Sequence, residues 1–218
     1  MSLRILYVDT EEVWRGGQEQ LYGLMAGMAA RGHEVSLATP PGSPLGARSF
    51  ELNVRVTGFR QRNELDLRAW RRFREILEEN PAEVVHFNTP RPLLLGGLAA
   101  RSKQVPAVVC SRRVNFPLKS RFSAWKYNHL LHSVLTVSSS IRTTLVQCGV
   151  RSDLVQVVYE GVDPTFIDQL QADPLFPGQT GPLVGTVAHL SGEKGHWDLL
   201  EAVRIIAPRF PEARFLII

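Results

Sequence analysis

The run Leu183-Val184-Gly185-Thr186-Val187-Ala188-His189-Leu190-Ser191-Gly192-Glu193-Lys194-Gly195-His196 carries the residues best suited to chemistry in this chain. It reads as a buried strand, a polar glycine-containing loop with one lysine, and then a helix over 197–207. A lysine and backbone N–H groups gathered at a helix N-terminus make a site for a phosphate-bearing ligand. The plainer reading of Lys194 is an exposed loop lysine. A second such place is Arg15-Gly16-Gly17-Gln18-Glu19-Gln20, after the first strand. Paired glycines remove Cβ atoms and let backbone approach a bulky anion, while the next helix contributes its positive end. Standing alone, that loop reads equally well as a flexible surface turn that needs left-handed torsions. It is not the Gly-x-Gly-x-x-Gly of dinucleotide binding, and the chain has no Gly-Lys-Ser/Thr motif, which removes most of the case for those two functions.

Two further polar loops follow apolar strands: His86-Phe87-Asn88-Thr89-Pro90-Arg91 and Ser111-Arg112-Arg113-Val114-Asn115-Phe116. Ligands of open α/β sheets bind outside the carboxyl ends of the strands, so Asn88, Thr89, Arg112 and Arg113 are candidate contacts. The two arginines suit an anion or a sugar hydroxyl, with one of them expected only to face solvent. His86 lies within its strand, where a structural histidine is as good a reading as a functional one. His129 and His132 share a helix face at i, i+3 spacing; with no acidic or thiol partner near them in sequence, no metal site is expected.

The elements that position these loops alternate almost from end to end. Residues 3–8 form a continuous apolar run, as a strand covered on both faces requires. A helix after Gly17 presents Leu21, Leu24, Met25, Met28 and Ala29 as one stripe, and Gly32 suits the left-handed residue that closes it. Further strands are expected at 34–38, 54–57, 84–87, 107–110, 134–137 and 155–158, with helices at 65–79, 92–101, 120–131 and 139–148. Gly149 supplies another stop. This alternation implies a mostly parallel sheet with helices on both faces. The segment 173–182 holds three prolines and two glycines and reads as an extended linker. It divides a domain over 1–172 from a strand–helix–strand start over 183–218, a domain opened and not finished.

With 218 residues the chain suffices for one sizeable core and a little more. Two cysteines, Cys110 and Cys148, give no disulfide framework and point to a reducing cytoplasm. The N-terminus is too short and wrongly flanked for a signal peptide, and no run approaches the ~20 apolar residues of a membrane span. A net charge of +4 favours anionic partners. In Arg68-Ala69-Trp70-Arg71-Arg72-Phe73-Arg74 the residues Trp70, Phe73 and Leu77 recur at helical spacing, so the arginines read as a solvated helix surface and not as a nucleic-acid site.

Four motifs in this order resemble family 4 glycosyltransferases of the GT-B fold: Gly16-Gly17-Gln18-Glu19, Arg31-Gly32-His33-Glu34-Val35, Tyr159-Glu160-Gly161-Val162-Asp163, and Gly185 followed by Glu193-Lys194-Gly195-His196. The resemblance spans the chain. It implies an α/β fold: a Rossmann-like parallel sheet with helices on both faces as the N-terminal, acceptor-side domain, then an incomplete second Rossmann-like, donor-binding domain. It implies a retaining, metal-independent transfer of sugar from a nucleotide-sugar donor to a cell-surface glycan, lipid-linked or small-molecule acceptor, as in polysaccharide or lipopolysaccharide biosynthesis. The nucleotide sugar is a substrate, and no cofactor is implied. By that likeness Gly16, Gly17, His189 and Lys194 meet the donor diphosphate, while Asn88, Thr89, Arg112 and Arg113 lie on the acceptor side. The catalytic Glu-containing motif belongs to the rest of the second domain, so this chain alone is expected not to turn over. The expected setting is cytoplasmic, at the inner face of the membrane with peripheral contact. Three positions depart from the family pattern: His189 stands for a common arginine, Ser111-Arg112-Arg113 for a loop that often holds a histidine, and Glu160 for an asparagine. A nucleotide-sugar epimerase-like GT-B protein and a non-catalytic binding module are the alternatives.

Overall fold

The computed structural model describes residues 2–162, 164, 178 and 180–218. The chain divides into two compact units, 1–162 and 163–218. Most of the linker expected at 173–182 lies outside the described residues.

The first unit is a seven-stranded sheet in which every pairing is parallel. Its strands are β1 (Arg4–Val8), β2 (Glu34–Thr39), β3 (Arg55–Gly58), β4 (Val84–Phe87), β5 (Ala107–Arg112), β6 (Ser133–Thr136) and β7 (Val155–Val157). Helices α1 (Gly16–Ala30), α2 (Pro44–Ser49), α3 (Leu67–Glu79), α4 (Leu93–Ser102), α5 (Arg121–Leu130) and α6 (Ser139–Gln147) connect them. The spatial order is β3-β2-β1-β4-β5-β6-β7. Strand order therefore reverses between β1 and β4, and a crevice forms at such a point, outside the carboxyl ends of the strands.

The apolar run Ile5–Val8 of β1 has a structural cause. Leu6 and Val8 face a core shared with Phe73, Phe87, Val108 and Leu145, while Ile5 and Tyr7 face a second core with Leu21, Met25, Leu37 and Leu45. Both faces of the strand are covered, so neither can be polar. Within α1, Leu21 and Met25 are fully buried but Leu24 is exposed, so the stripe is narrower than five residues. Gly32 and Gly149 take left-handed φ of 81° and 89° where their helices end. In α4 the glycines serve packing: a Cβ on Gly96 would stand 2.8 Å from the Phe87 ring, and one on Gly97 2.9 Å from Leu130 Cβ.

Three elements differ from expectation. Helix α2 lies between the strands expected at 34–38 and 54–57, where no element is expected. Ser43 caps the helix through Oγ, which accepts from Gly46 N–H, and Pro44 occupies its first turn. His132 is not on a helix face with His129: α5 ends at Leu130, and His132 Nδ1 instead accepts the Val108 N–H at 2.9 Å. Strand β5 runs two residues beyond its apolar part, which changes the position of Arg112.

The second unit pairs β8 (Leu183–Thr186) with β9 (Arg214–Ile217) in parallel, joined through α7 (His196–Ile206). No residue of α7 is buried, and Trp197 is 77% exposed.

Candidate functional site

At the carboxyl end of β1 the chain places Asp9, wholly buried. One carboxylate oxygen accepts the Glu11 N–H at 2.8 Å; the other accepts Gln18 Nε2 at 3.0 Å and Asn88 Nδ2 at 2.5 Å. A buried carboxylate is tolerated only when its oxygens are this well supplied with donors. Gln18 in turn accepts the Arg15 N–H through Oε1 at 3.2 Å, which anchors the start of α1. Arginine has no acceptor, so only this return half of a capping box exists.

Gly16 and Gly17 are the first two residues of α1, with ordinary negative φ; the left-handed turn that the alternative reading required is not there. What they provide is access. Among the described residues, chain neighbours and the helix's own backbone aside, no atom lies within 4 Å of a Cβ built on Gly16, and only Arg113 Cδ approaches one on Gly17, at 3.8 Å. Their N–H groups open a helix and find no carbonyl one turn back within it. A helix N-terminus favours an anion.

Asn88 follows β4 on the other side of the crevice. Its Nδ2 donates to Asp9, and its Oδ1 accepts from Arg113 Nη1 at 2.5 Å. Arg113 also donates through Nε to Glu160 Oε1 in an ion pair, and Gln20 Nε2 donates to the Gly161 carbonyl at 3.1 Å. Thr89 Oγ1 meets Thr10 Oγ1 at 2.9 Å. The loops after β1, β4, β5 and β7 are thereby joined by one polar network at the switch point. Asp163, last of the motif at 159–163, is outside the described residues.

Arg112 departs from the expected rim position. It closes β5, pairs across to Thr136 and is 8% exposed. Its guanidinium donates to Tyr127 Oη at 3.4 Å and to the Phe116 carbonyl, so it holds the loop from inside. Nor does the other arginine merely face solvent, since Arg113 is bonded on two sides.

His86 is buried in β4, with Nε2 and Ser111 Oγ 2.8 Å apart and the Tyr7 ring centroid 5.3 Å away. Burial, helped by the Arg113 charge, pushes its pKa down to about 4, so the ring is neutral at pH 7. Burial likewise pushes the Cys110 thiol up to about 12, which leaves it unreactive. Among the described residues no three His, Cys, Asp or Glu side chains are grouped to hold a metal ion.

In the second unit a short turn over Gly192–Lys194 follows β8, and Gly195 adopts φ 68° before α7 begins at His196. Only glycine takes that torsion without strain. Lys194 is exposed, its N–H bonded to the Ser191 carbonyl at 3.1 Å. His189 is also exposed; its carbonyl accepts from His196 Nε2 at 3.2 Å.

Sequence reasoning missed Asp9 and the linking roles of Gln18 and Glu160. The available signal was an acidic residue directly ending an apolar strand at the sheet's centre.

The family model for Glycosyltransferase Family 4 matches residues 14–166, the stretch that includes α1, both rim loops and the Glu160-Gly161 motif. The chain belongs to glycosyltransferase family 4. Among curated proteins no sequence match is found for this family 4 chain. Among solved structures, a glycosyltransferase from Rickettsia africae is similar, with a TM-score of 0.80 at 16% identity, over 99% of this chain and 60% of its own. HepE from Anabaena, solved with UDP-glucose, gives 0.76 at 18% identity, over 99% and 60%. The UDP-GlcNAc 2-epimerase of Neisseria meningitidis, bound to UDP-GlcNAc, gives 0.58 at 13% identity, over 99% and 65%. The family 4 chain thus shares the Rossmann-like fold of GT-B glycosyltransferases and spans about 60% of the length of the first two structures.

Proposed function

We propose that this chain provides the acceptor-side part of a glycosyltransferase that moves a sugar from a nucleotide-sugar donor to a glycan, lipid-linked or small-molecule acceptor. The observation that carries the reading is the helix N-terminus at Gly16-Gly17, open at the switch point and held by the Asp9 network. Departure of a nucleoside diphosphate leaves an oxocarbenium-like sugar and concentrates negative charge on the leaving phosphates. N–H groups aimed at that charge, and fixed before reaction, stabilise the transition state more than the ground state. Thr89, Asn88 and Arg113 form the acceptor-side rim, with Arg112 positioning the loop behind it.

Residues 183–218 are read as the start of the donor-binding domain, with Lys194 and His189 as its donor-diphosphate residues. Lys194 is a point charge on a flexible stem, suited to phosphate. His189 gives a positive charge only when protonated. The mechanism assigned is retaining and needs no metal ion or cofactor.

The test is a panel of nucleotide sugars labelled in the sugar, offered with and without lipid-phosphate and glycan acceptors to a polypeptide carrying this chain and a full donor domain. Acceptor-dependent appearance of label in product is the expected result. Donor epimerisation without any acceptor would overturn it in favour of an epimerase, and absence of any nucleotide-sugar binding would reduce the chain to an interaction module.

A further inference from the structure

The loop after β3 and the first turns of α3 border an open groove of about 680 Å³ that the transfer chemistry does not use. Arg60, Arg62, Arg68 and Arg72 line it. Two of these are already paired, Arg60 with Glu12 at 3.3 Å and Arg72 with Glu75 and Glu79 at 3.2 and 3.1 Å. Among the described residues Arg62 and Arg68 form no ion pair. The carboxylate in the lining, Asp66, is occupied by backbone, because it caps α3 and accepts the N–H groups of Arg62, Arg68 and Ala69. Glu64 beside it is taken by Lys126 Nζ, which donates to both its oxygens at 2.9 and 2.8 Å. Two guanidinium groups thus line the groove without a paired carboxylate.

The groove is continuous with the loops of the crevice. Buried Gln61 donates through Nε2 to the Arg91 carbonyl at 3.3 Å, which joins the loop after β3 to the loop after β4. The Arg60–Glu12 pair joins it to the loop after β1. All three loops leave the carboxyl ends of strands in one sheet, whose order runs β3-β2-β1-β4. Neighbouring strands lie ~4.8 Å apart, so the loop after β3 stands roughly 10 Å along the sheet edge from the loop after β1. Besides the arginines, exposed Leu65 and Leu67 line the groove, and so does Asn63, whose Nδ2 has no partner among the described residues. The surface therefore offers cations, an amide donor and apolar contact side by side.

The geometry points to a distal acceptor subsite for an anionic glycan, one whose phosphate or carboxylate sits on a sugar behind the residue that receives the transfer. This rests on the acceptor-side reading of Asn88 and Thr89, and it adds a substrate class to it. A guanidinium fork meets a carboxylate or phosphate with two parallel hydrogen bonds, which a neutral hydroxyl cannot match. A sugar ring also carries an apolar C–H face, for which Leu65 and Leu67 provide a surface to be removed from water. The offset of roughly 10 Å leaves the reacting sugar in the crevice and places the charged one farther along the same chain. Single-stranded nucleic acid would use the arginines too, but such sites stack bases on aromatic rings. Among the described residues no aromatic ring lines the groove.

The full chain is titrated by calorimetry with two charged glycans, a short oligogalacturonate and an oligomannoside bearing mannose 6-phosphate. Their neutral counterparts, methyl-esterified and dephosphorylated, are the controls, together with inorganic phosphate and a single-stranded oligonucleotide. One charged glycan or both should bind, more weakly as salt rises, and the one preferred identifies the anionic group as carboxylate or phosphate. Arg62→Gln with Arg68→Gln should lower that affinity by about tenfold or more, the loss of at least one charge-assisted contact. Leu65→Ser with Leu67→Ser should lower it about threefold or more and leave its salt dependence as it was. All four side chains are exposed, so both variants should melt with the parent by circular dichroism. Absence of binding by both charged glycans would overturn the inference, as would equal affinity for the neutral counterparts or for inorganic phosphate. So would tighter binding of the oligonucleotide than of either glycan. Binding needs neither donor nor turnover, so the two readings fail separately: a working transferase whose acceptor affinity ignores Arg62 and Arg68 refutes this subsite alone.

Discussion

His86 makes stability depend on pH in a way its burial dictates. Its ordinary pKa of 6.5 falls to about 4 in the fold, because the cationic ring would lose solvation and would face Arg113. Below 6.5 the unfolded chain binds a proton that the native chain refuses until pH approaches 4, so stability falls as pH is lowered through that window. A depression of 2.5 pH units, at 1.36 kcal/mol each, corresponds to about 3 kcal/mol lost between pH 7 and pH 4. Carboxylates also titrate there, so the informative quantity is a difference between proteins. His86→Gln keeps a neutral side chain able to hydrogen-bond Ser111 but cannot titrate. Urea unfolding followed by tryptophan fluorescence at pH 4, 5, 6 and 7 should show the parent losing about 3 kcal/mol more than the variant, with the gap opening below pH 6.5. Trp14, Trp70 and Trp125 report on the sheet unit. Parallel profiles for the two proteins would refute the argument, whatever their absolute stabilities.

Gly96→Ala forces a Cβ to 2.8 Å from the buried Phe87 ring and should destabilise the sheet unit by about 1–3 kcal/mol in the same urea assay, whereas a neutral result would mean that α4 shifts freely. Gly16→Ala meets open space at a helix start and should leave stability unchanged or raise it by up to ~1 kcal/mol. If those glycines exist for ligand approach, the same change should weaken nucleotide-sugar binding several-fold by calorimetry, and an intact affinity would assign them no such role. With a full donor domain present, Lys194→Ala should reduce turnover on the order of a hundredfold, with Lys194→Arg retaining part of it; unaltered kinetics would make Lys194 an ordinary loop lysine.

The sheet was legible because both its faces are covered. Runs such as Leu3–Val8 and Val84–Phe87 are apolar on both sides apart from Arg4 at the exposed strand start and the buried His86, and their ends fell within two residues of the observed strands. Where polar residues continue a strand, legibility failed. Ser111 and Arg112 pair with Leu135 and Thr136, so β5 outlasts its apolar part and draws Arg112 inside. Helix α2 was hidden for a related reason: six residues are too few to show a period, and proline and serine mark a helix start as readily as a turn. The loops around Gly16, Asn88 and Arg113 were found by their position after strands. Their connection was not, because Asp9, Gln18, Asn88, Arg113 and Glu160 have no spacing in sequence that foretells a shared network.

That network divides the rim into groups that position and groups that remain available. A carboxylate only accepts and a guanidinium only donates. Asn88, between Asp9 and Arg113, must therefore turn its NH₂ to the first and its carbonyl oxygen to the second. With the amide fixed, Arg113 is directed to Glu160, and the segment after β7 is held against α1 through Gln20 and Gly161. Each bond to a charged partner contributes about 1.5–3 kcal/mol, and removing one leaves the buried Asp9 carboxylate or the Arg113 cation short of a partner. Asp9, Asn88 and Arg113 are thereby tied to one another, which fixes the loops after β1, β4 and β5. Under the proposed transferase reading, the backbone N–H groups of Gly16 and Gly17, which open α1 without an acceptor inside the helix, are the donors offered to an incoming anion. A site built in this way has its geometry set before the ligand arrives, which is the condition for fixed dipoles to favour a developing charge over the charge already present in the ground state.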